Sequence, residues 1–208
     1  MTDTANRSEK HAERMKAQQA EHRKRMAATS ATERGLVLVY TGDGKGKSSS
    51  AFGVIVRALG WGQRVGVVQF IKGTWKTGER QFFAQFEDRI DWRTMGEGFT
   101  WDTQDLDRDI AAARAAFGTS RELLESGDYD LIVLDEINVA MQLGYLSEDT
   151  VISGLEGRSK RTSVILTGRG AKPALCEYAD LVSEMRAVKH PFDSGIKAVR
   201  GSPGRAPP

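Results

Sequence analysis

A single cysteine, Cys176, occurs in 208 residues, so no intramolecular disulfide can form and the composition fits a reducing compartment. No apolar run approaches the length needed to cross a bilayer, and the N-terminal stretch lacks the apolar segment of a secretion signal. A cytoplasmic protein with no membrane contact is the expectation. The formal net charge is only +2, too small an excess to argue for nucleic-acid binding. Histidine is scarce. His11 and His22 lack metal-ligand spacing and are expected on the surface, and His190 is expected to be structural. Glycine and proline are both absent from Met1 to Arg34, a stretch rich in Lys, Arg, Glu, Gln and Ala. Helix propensity there is good, but Ala12, Met15 and Met26 make a thin apolar stripe. Such a segment is either a solvated helical arm or one that orders over a ligand or a partner subunit.

What is present centres on one loop. Leu36 to Tyr40 is an apolar run that predicts a buried parallel strand, and Ser49 to Leu59 predicts a helix. Between them lies Thr41-Gly42-Asp43-Gly44-Lys45-Gly46-Lys47-Ser48. Strand, glycine-rich turn, Lys-Ser and helix is the layout of a phosphate-binding P-loop, in which backbone N–H groups and a helix N-terminus face the anion. Lys47 would contact phosphate as a point charge, and Ser48 would offer a hydroxyl to Mg²⁺. The usual pattern requires glycine where this chain has Thr41, and it has no counterpart of Lys45 within the turn. A ligand-free glycine turn is the bland alternative; agreement of strand, loop and helix favours a nucleotide cradle of altered length and charge.

The chain then alternates. Arg64 to Phe70 predicts a second buried strand, Glu79 to Phe86 a short helix, and Ile90 to Met95 a weaker strand. Gly96 to Thr103 is a loop holding Phe99 and Trp101, which either pack it locally or serve the ligand rim. Leu106 to Ser126 predicts a long helix. Tyr129 to Glu136 is an apolar strand ending in Asp135 and Glu136, the arrangement in which a strand-end acid reaches the P-loop metal. Further elements follow: a helix over Ser147 to Glu156, a strand over Ser163 to Thr167, a rim loop Gly168-Arg169-Gly170 and a helix over Pro173 to Ala179. Leu181 to Met185 predicts a last core strand, and Ile196 to Val199 an edge strand. The expected fold is α/β, a P-loop NTPase of RecA-like type with one doubly wound, mainly parallel sheet. The expected organisation is an arm over 1–34, a domain over 35–200 and a disordered tail over 201–208.

These motifs together resemble the P-loop corrinoid adenosyltransferases, the ATP:cob(I)alamin type. The resemblance rests on Thr41 to Ser48 with Ala51-Phe52-Gly53, and on Val67 to Trp75. It rests equally on Gly98-Phe99-Thr100-Trp101, Val133-Leu134-Asp135-Glu136, Thr167-Gly168-Arg169-Gly170 and Val188-Lys189-His190. The similarity runs from about Arg34 to about Gly201, and Ser48 stands where threonine is common. It implies transfer of the 5′-deoxyadenosyl group of ATP to the cobalt of a reduced, cob(I), corrinoid, with release of triphosphate. It implies ATP on Thr41, Gly42, Asp43, Gly44, Lys45, Gly46, Lys47, Ser48 and Ser49, in the reverse sense to ordinary P-loop kinases, with Lys47 catalytic. A Mg²⁺ or Mn²⁺ ion would sit on Ser48, Asp135 and Glu136. The corrinoid would meet Met95, Gly98, Phe99, Trp101 and Arg169, with Phe99 and Trp101 acting catalytically beneath the macrocycle. The resemblance further implies a homodimer and a flavin-type reductase as partner. Two other classes fit the loop by itself: a kinase for a small metabolite, and a nucleotide-dependent switch or assembly module.

Overall fold

The computed structural model describes residues 2–29, 33–71, 77–96 and 105–197. Gly98, Phe99, Trp101 and the tail therefore lie outside the described residues. The chain divides into two units, Met1–Glu33 and Arg34–Pro208. The first holds one helix, α1 (Thr2–Ala27), whose described side chains are all exposed. No glycine interrupts it, and Arg25 and Glu21 pair one turn apart along it at 3.2 Å.

The second unit is built on six parallel strands: β1 (Val37–Thr41), β2 (Val65–Gln69), β3 (Ile90–Thr94), β4 (Leu131–Asp135), β5 (Ser163–Thr167) and β6 (Leu181–Glu184). Their order across the sheet is β3-β2-β4-β5-β1-β6, and every pairing is parallel. Between β1 and β3 run α2 (Lys47–Gly60) and α3 (Gly78–Phe83), the latter continued by a 3₁₀ turn over Ala84–Phe86. After β3 come α4 (Leu106–Ser126), α5 (Ile137–Gln142), α6 (Glu148–Glu156) and α7 (Pro173–Tyr178).

Side-chain alternation along the central strands divides the core into two layers. Tyr40, Val65, Val67, Leu131, Val133 and Ile165 pack with α2 and α3. Val37, Val39, Val68, Ile132, Leu134, Val164 and Leu166 pack with α4 to α7. Helices on one face thus serve the crossovers from β1 to β3, and those on the other serve the return from β3 to β6, the layout of a doubly wound sheet. Helix starts are marked by side chains that accept from backbone N–H groups: Thr77 from Arg80, Asp105 from Arg108 and Ser147 from Thr150.

Two expectations need correction. Leu181 to Met185 is not a core strand: among the described residues β6 is an edge strand paired with β1, and Leu181 and Val182 are 41% and 43% exposed. Its apolar residues gave the burial signal, but the sheet carries no further strand on that side among the described residues. Ile196 and Lys197 belong to no strand; they follow a 3₁₀ turn over Pro191–Ser194, and 198–199 lie outside the described residues. His190 caps that turn, its Nδ1 accepting from the Phe192 N–H at 3.2 Å.

Candidate active site

The loop after β1 is shaped by close backbone approach. Gly44 N–H donates to the Met185 carbonyl at 2.7 Å, and Met185 N–H donates to the Thr41 carbonyl at 2.8 Å. A Cβ on Gly42 would lie 2.4 Å from the Met185 oxygen, and one on Gly44 2.7 Å from the Arg186 oxygen. Gly42 also has φ +92°, so no other residue fits there without moving the chain beyond β6. Thr41, the departure from the usual motif, has a use: its Oγ1 accepts from the Ala171 N–H at 3.1 Å and fastens the β5–α7 loop. The same loop is held at its start by Gly168 N–H donating to the Tyr40 carbonyl at 3.2 Å.

Lys47 is the first residue of α2 and is buried. Its Nζ donates to the carbonyls of Gly42 at 2.7 Å and Gly44 at 2.6 Å, closing the loop around the ammonium. Burial pulls its pKa below the ordinary lysine value; Glu136 opposes that, Arg169 and Lys45 reinforce it, and Asp43 opposes it. Asp43, Lys45, Ser49 and Arg169 are exposed, so the loop presents its charges outward.

Beneath the loop, Ser48 Oγ donates to Asp135 Oδ1 at 2.7 Å. Asp135 is fully buried at the end of β4. Thr167 Oγ1 donates to the same Oδ1 at 2.8 Å and accepts from the Glu136 N–H at 3.0 Å. Gln69 Nε2 donates to Asp135 Oδ2 at 2.9 Å. Glu136 follows with φ +66°, the one positive-φ residue other than glycine among the described residues, where β4 turns sharply into α5. Asn138 on α5 donates from Nδ2 to the Gly168 carbonyl at 3.3 Å, tying α5 to the loop that carries Arg169.

The structure therefore brings together Thr41 to Ser49, Asp135, Glu136 and Arg169 at the carboxyl ends of β1, β4 and β5. Met95 lies at the end of β3, two strands away, its N–H donating to the Gln69 carbonyl at 3.0 Å. Gln69, Thr167 and Asn138 carried no role in the sequence reading. The available signal was a polar residue closing an otherwise apolar strand: Gln69 pairs with Asp135 across β2 and β4, and Thr167 with Tyr40 across β5 and β1.

A P-loop fused to a strand-end carboxylate on a doubly wound parallel sheet defines a nucleotide-binding protein of the P-loop class. Comparison with known proteins narrows the class. The family model for ATP:corrinoid adenosyltransferases (BtuR/CobO/CobP) matches residues 33–202. A corrinoid adenosyltransferase of Pseudomonas aeruginosa is 49% identical over 201 residues, 97% of this chain and 98% of the relative. One from Sinorhizobium sp. is 46% identical over 92% of this chain and 90% of its own length. One from Escherichia coli K12 is 44% identical over 81% and 85%. The chain belongs to the ATP:corrinoid adenosyltransferase family.

Proposed function

We infer that the chain transfers the 5′-deoxyadenosyl group of ATP to the cobalt of a reduced corrinoid. The cob(I) substrate attacks C5′ with its own electron pair. The Co–C bond forms as the C5′–O bond breaks, cobalt is formally oxidised to the +3 state, and triphosphate leaves with the bonding pair. A nucleophile this strong needs no activated side chain or general base. The protein's tasks are to hold C5′ near the cobalt and to neutralise the leaving triphosphate. The observation that carries the reading is the buried Lys47 ammonium closing the loop above the Ser48–Asp135 pair, in a chain of this family. Loop amides and α2's N-terminus add further positive potential for the phosphates.

The Ser48 hydroxyl and Asp135 carboxylate, with Glu136 next in the chain, are hard oxygen donors of the kind that suit Mg²⁺ or Mn²⁺. No cluster of three or more His, Cys, Asp or Glu gathers among the described residues. These few ligands suit an ion that keeps water and phosphate oxygens in its shell. When bound there, such an ion would spread charge off the triphosphate. Ser48 would orient it from α2, and Asp135, held by Thr167 and Gln69, from β4.

In this proposal Met95, Gly98, Phe99, Trp101 and Arg169 meet the corrinoid, with Phe99 and Trp101 excluding a lower axial ligand so that cobalt accepts an electron more readily. The arm over 1–34 acts on corrinoid binding, and the domain over 35–200 carries the chemistry. A homodimer supplied with electrons by a flavin-type reductase completes it. A cytoplasmic setting is supported by the lone cysteine, and no helix among the described residues is long and apolar enough to cross a membrane. Product analysis tests the reaction. Triphosphate and an adenosylated corrinoid in equal amounts support it, whereas ADP with a phosphorylated acceptor would assign the chain to the kinases.

A further inference from the structure

The carboxamide of Gln69 sits buried at the end of an otherwise apolar strand. Its Nε2 donates to Asp135 Oδ2 at 2.9 Å. Its Oε1 accepts from Trp92 Nε1 at 3.0 Å and from Thr94 Oγ1 at 3.2 Å, both on β3. The partners dictate the amide's orientation. An indole N–H only donates and a carboxylate only accepts, so a flipped amide would set oxygen against oxygen and N–H against N–H. The main chain of the same residue reaches further, for the Gln69 carbonyl accepts from Met95 N–H at 3.0 Å and Gly96 N–H at 3.2 Å. Gly96 is packed so closely that a Cβ there would lie 2.5 Å from the Phe70 oxygen.

One residue thus joins two parts of the reaction centre as read above. Its side chain holds the carboxylate beneath the phosphate loop, and its main chain holds Met95 and Gly96, which precede Phe99 and Trp101 in the sequence. We propose that Gln69 is a positioning residue, fixing the Asp135 carboxylate for the cation that accompanies ATP and tying it to the end of β3. The inference rests on the functional reading above. Ser48 and Thr167 donate to Asp135 Oδ1, and Gln69 donates to the other oxygen. Removing it takes away a donor that helps to fix the direction of Oδ2.

The test uses the full chain and titrates Mg²⁺ against ATP binding by calorimetry, with a parallel measurement in EDTA. Gln69→Met keeps the length of the side chain and loses its hydrogen bonds. The Mg²⁺ concentration for half-maximal ATP binding should rise about tenfold, the scale of one lost hydrogen bond to a charged group. ATP affinity in EDTA should stay unchanged, and adenosyl transfer to cob(I) should fall by at least the same factor. A folded Gln69→Met protein with an unchanged Mg²⁺ midpoint would overturn the proposal, because a purely structural role would lower thermal stability alone. Should that variant not fold, Trp92→Phe replaces it. Trp92 packs 5.4 Å from Phe52 and 5.7 Å from Phe83 between ring centroids, so an aromatic ring is retained while one donor to Gln69 is lost. Its Mg²⁺ midpoint should rise about threefold, the effect of loosening a neutral hydrogen bond, and no rise would again overturn the role. Failure of the parent reading looks different: the unmodified chain would bind ATP with Mg²⁺ yet form no adenosylated corrinoid.

Discussion

Replacing Lys47 with alanine separates the catalytic from the structural demands on the phosphate loop. In the folded chain its ammonium is buried and donates to two loop carbonyls, at 2.7 and 2.6 Å. Two opposing quantities set the stability cost. Hydrogen bonds from a charged donor are each worth about 1.5–3 kcal/mol. Burying the ammonium works against them, in the direction of its lowered pKa. The net loss on Lys47→Ala should be on the order of 1 kcal/mol, which leaves a folded protein. Catalysis should suffer more, because negative charge grows on the triphosphate as C5′–O breaks. Removing one charged contact to such a leaving group costs about 3–4 kcal/mol, or roughly a hundred- to a thousandfold in rate. The assay pairs thermal unfolding with initial rates of adenosyl transfer from ATP to chemically reduced corrinoid. A stable protein with near-normal turnover would refute the role of Lys47, and a protein that no longer folds would show its hydrogen bonds to be mainly structural.

Further outcomes follow from other parts of the chain. Thr41→Val removes the acceptor for the Ala171 N–H and should cost about 1 kcal/mol while raising the KM for ATP, and Thr41→Ser should restore both. Asp180, which accepts from Arg34 and from the Val37 N–H, has its pKa drawn from 3.8 to about 2, first by the Arg34 hydrogen bond. A folded-state pKa below the unfolded one means stabilisation that is complete above about pH 4 and lost as pH falls through about 2. The Tm gap between the parent and Asp180→Asn should accordingly be widest near neutrality and close across that window; a gap independent of pH would contradict the assignment. Phe99→Ala or Trp101→Ala should impair turnover from cob(II) far more than from ready-made cob(I), and equal losses with both forms would remove the axial-exclusion role. Deleting Met1 to Ala28 should weaken corrinoid binding and spare ATP affinity, whereas unfolding with loss of both would make the arm structural.

Much of this architecture was legible because apolar runs of buried parallel strands are hard to mistake when glycine turns and helical periods separate them. The central strands, α4 and the phosphate loop lie where their patterns put them. What escaped notice depended on tertiary neighbours. α5 spans six residues, too few for a helical period to show, and it starts from the strained turn at Glu136. β6 carries the residues of a core strand but sits at the edge, since strand order is not written in local composition. The acids and the lysines of the site stood out because their motif is contiguous. Gln69 and Thr167 did not, because their meaning comes from register: each is a polar strand end brought to Asp135 by neighbouring strands.

The central claim is that carbon C5′ of ATP becomes bonded to cobalt, and carbon labelling reads that bond directly. ATP carrying ¹³C at C5′ would be incubated with the protein, Mg²⁺ and chemically reduced corrinoid, and the corrinoid product isolated and examined by NMR. A cobalt-bound ¹³C resonance, with one triphosphate released per label transferred, is the predicted result. Label that stays in ADP or in unreacted ATP, with the corrinoid unalkylated, would contradict it.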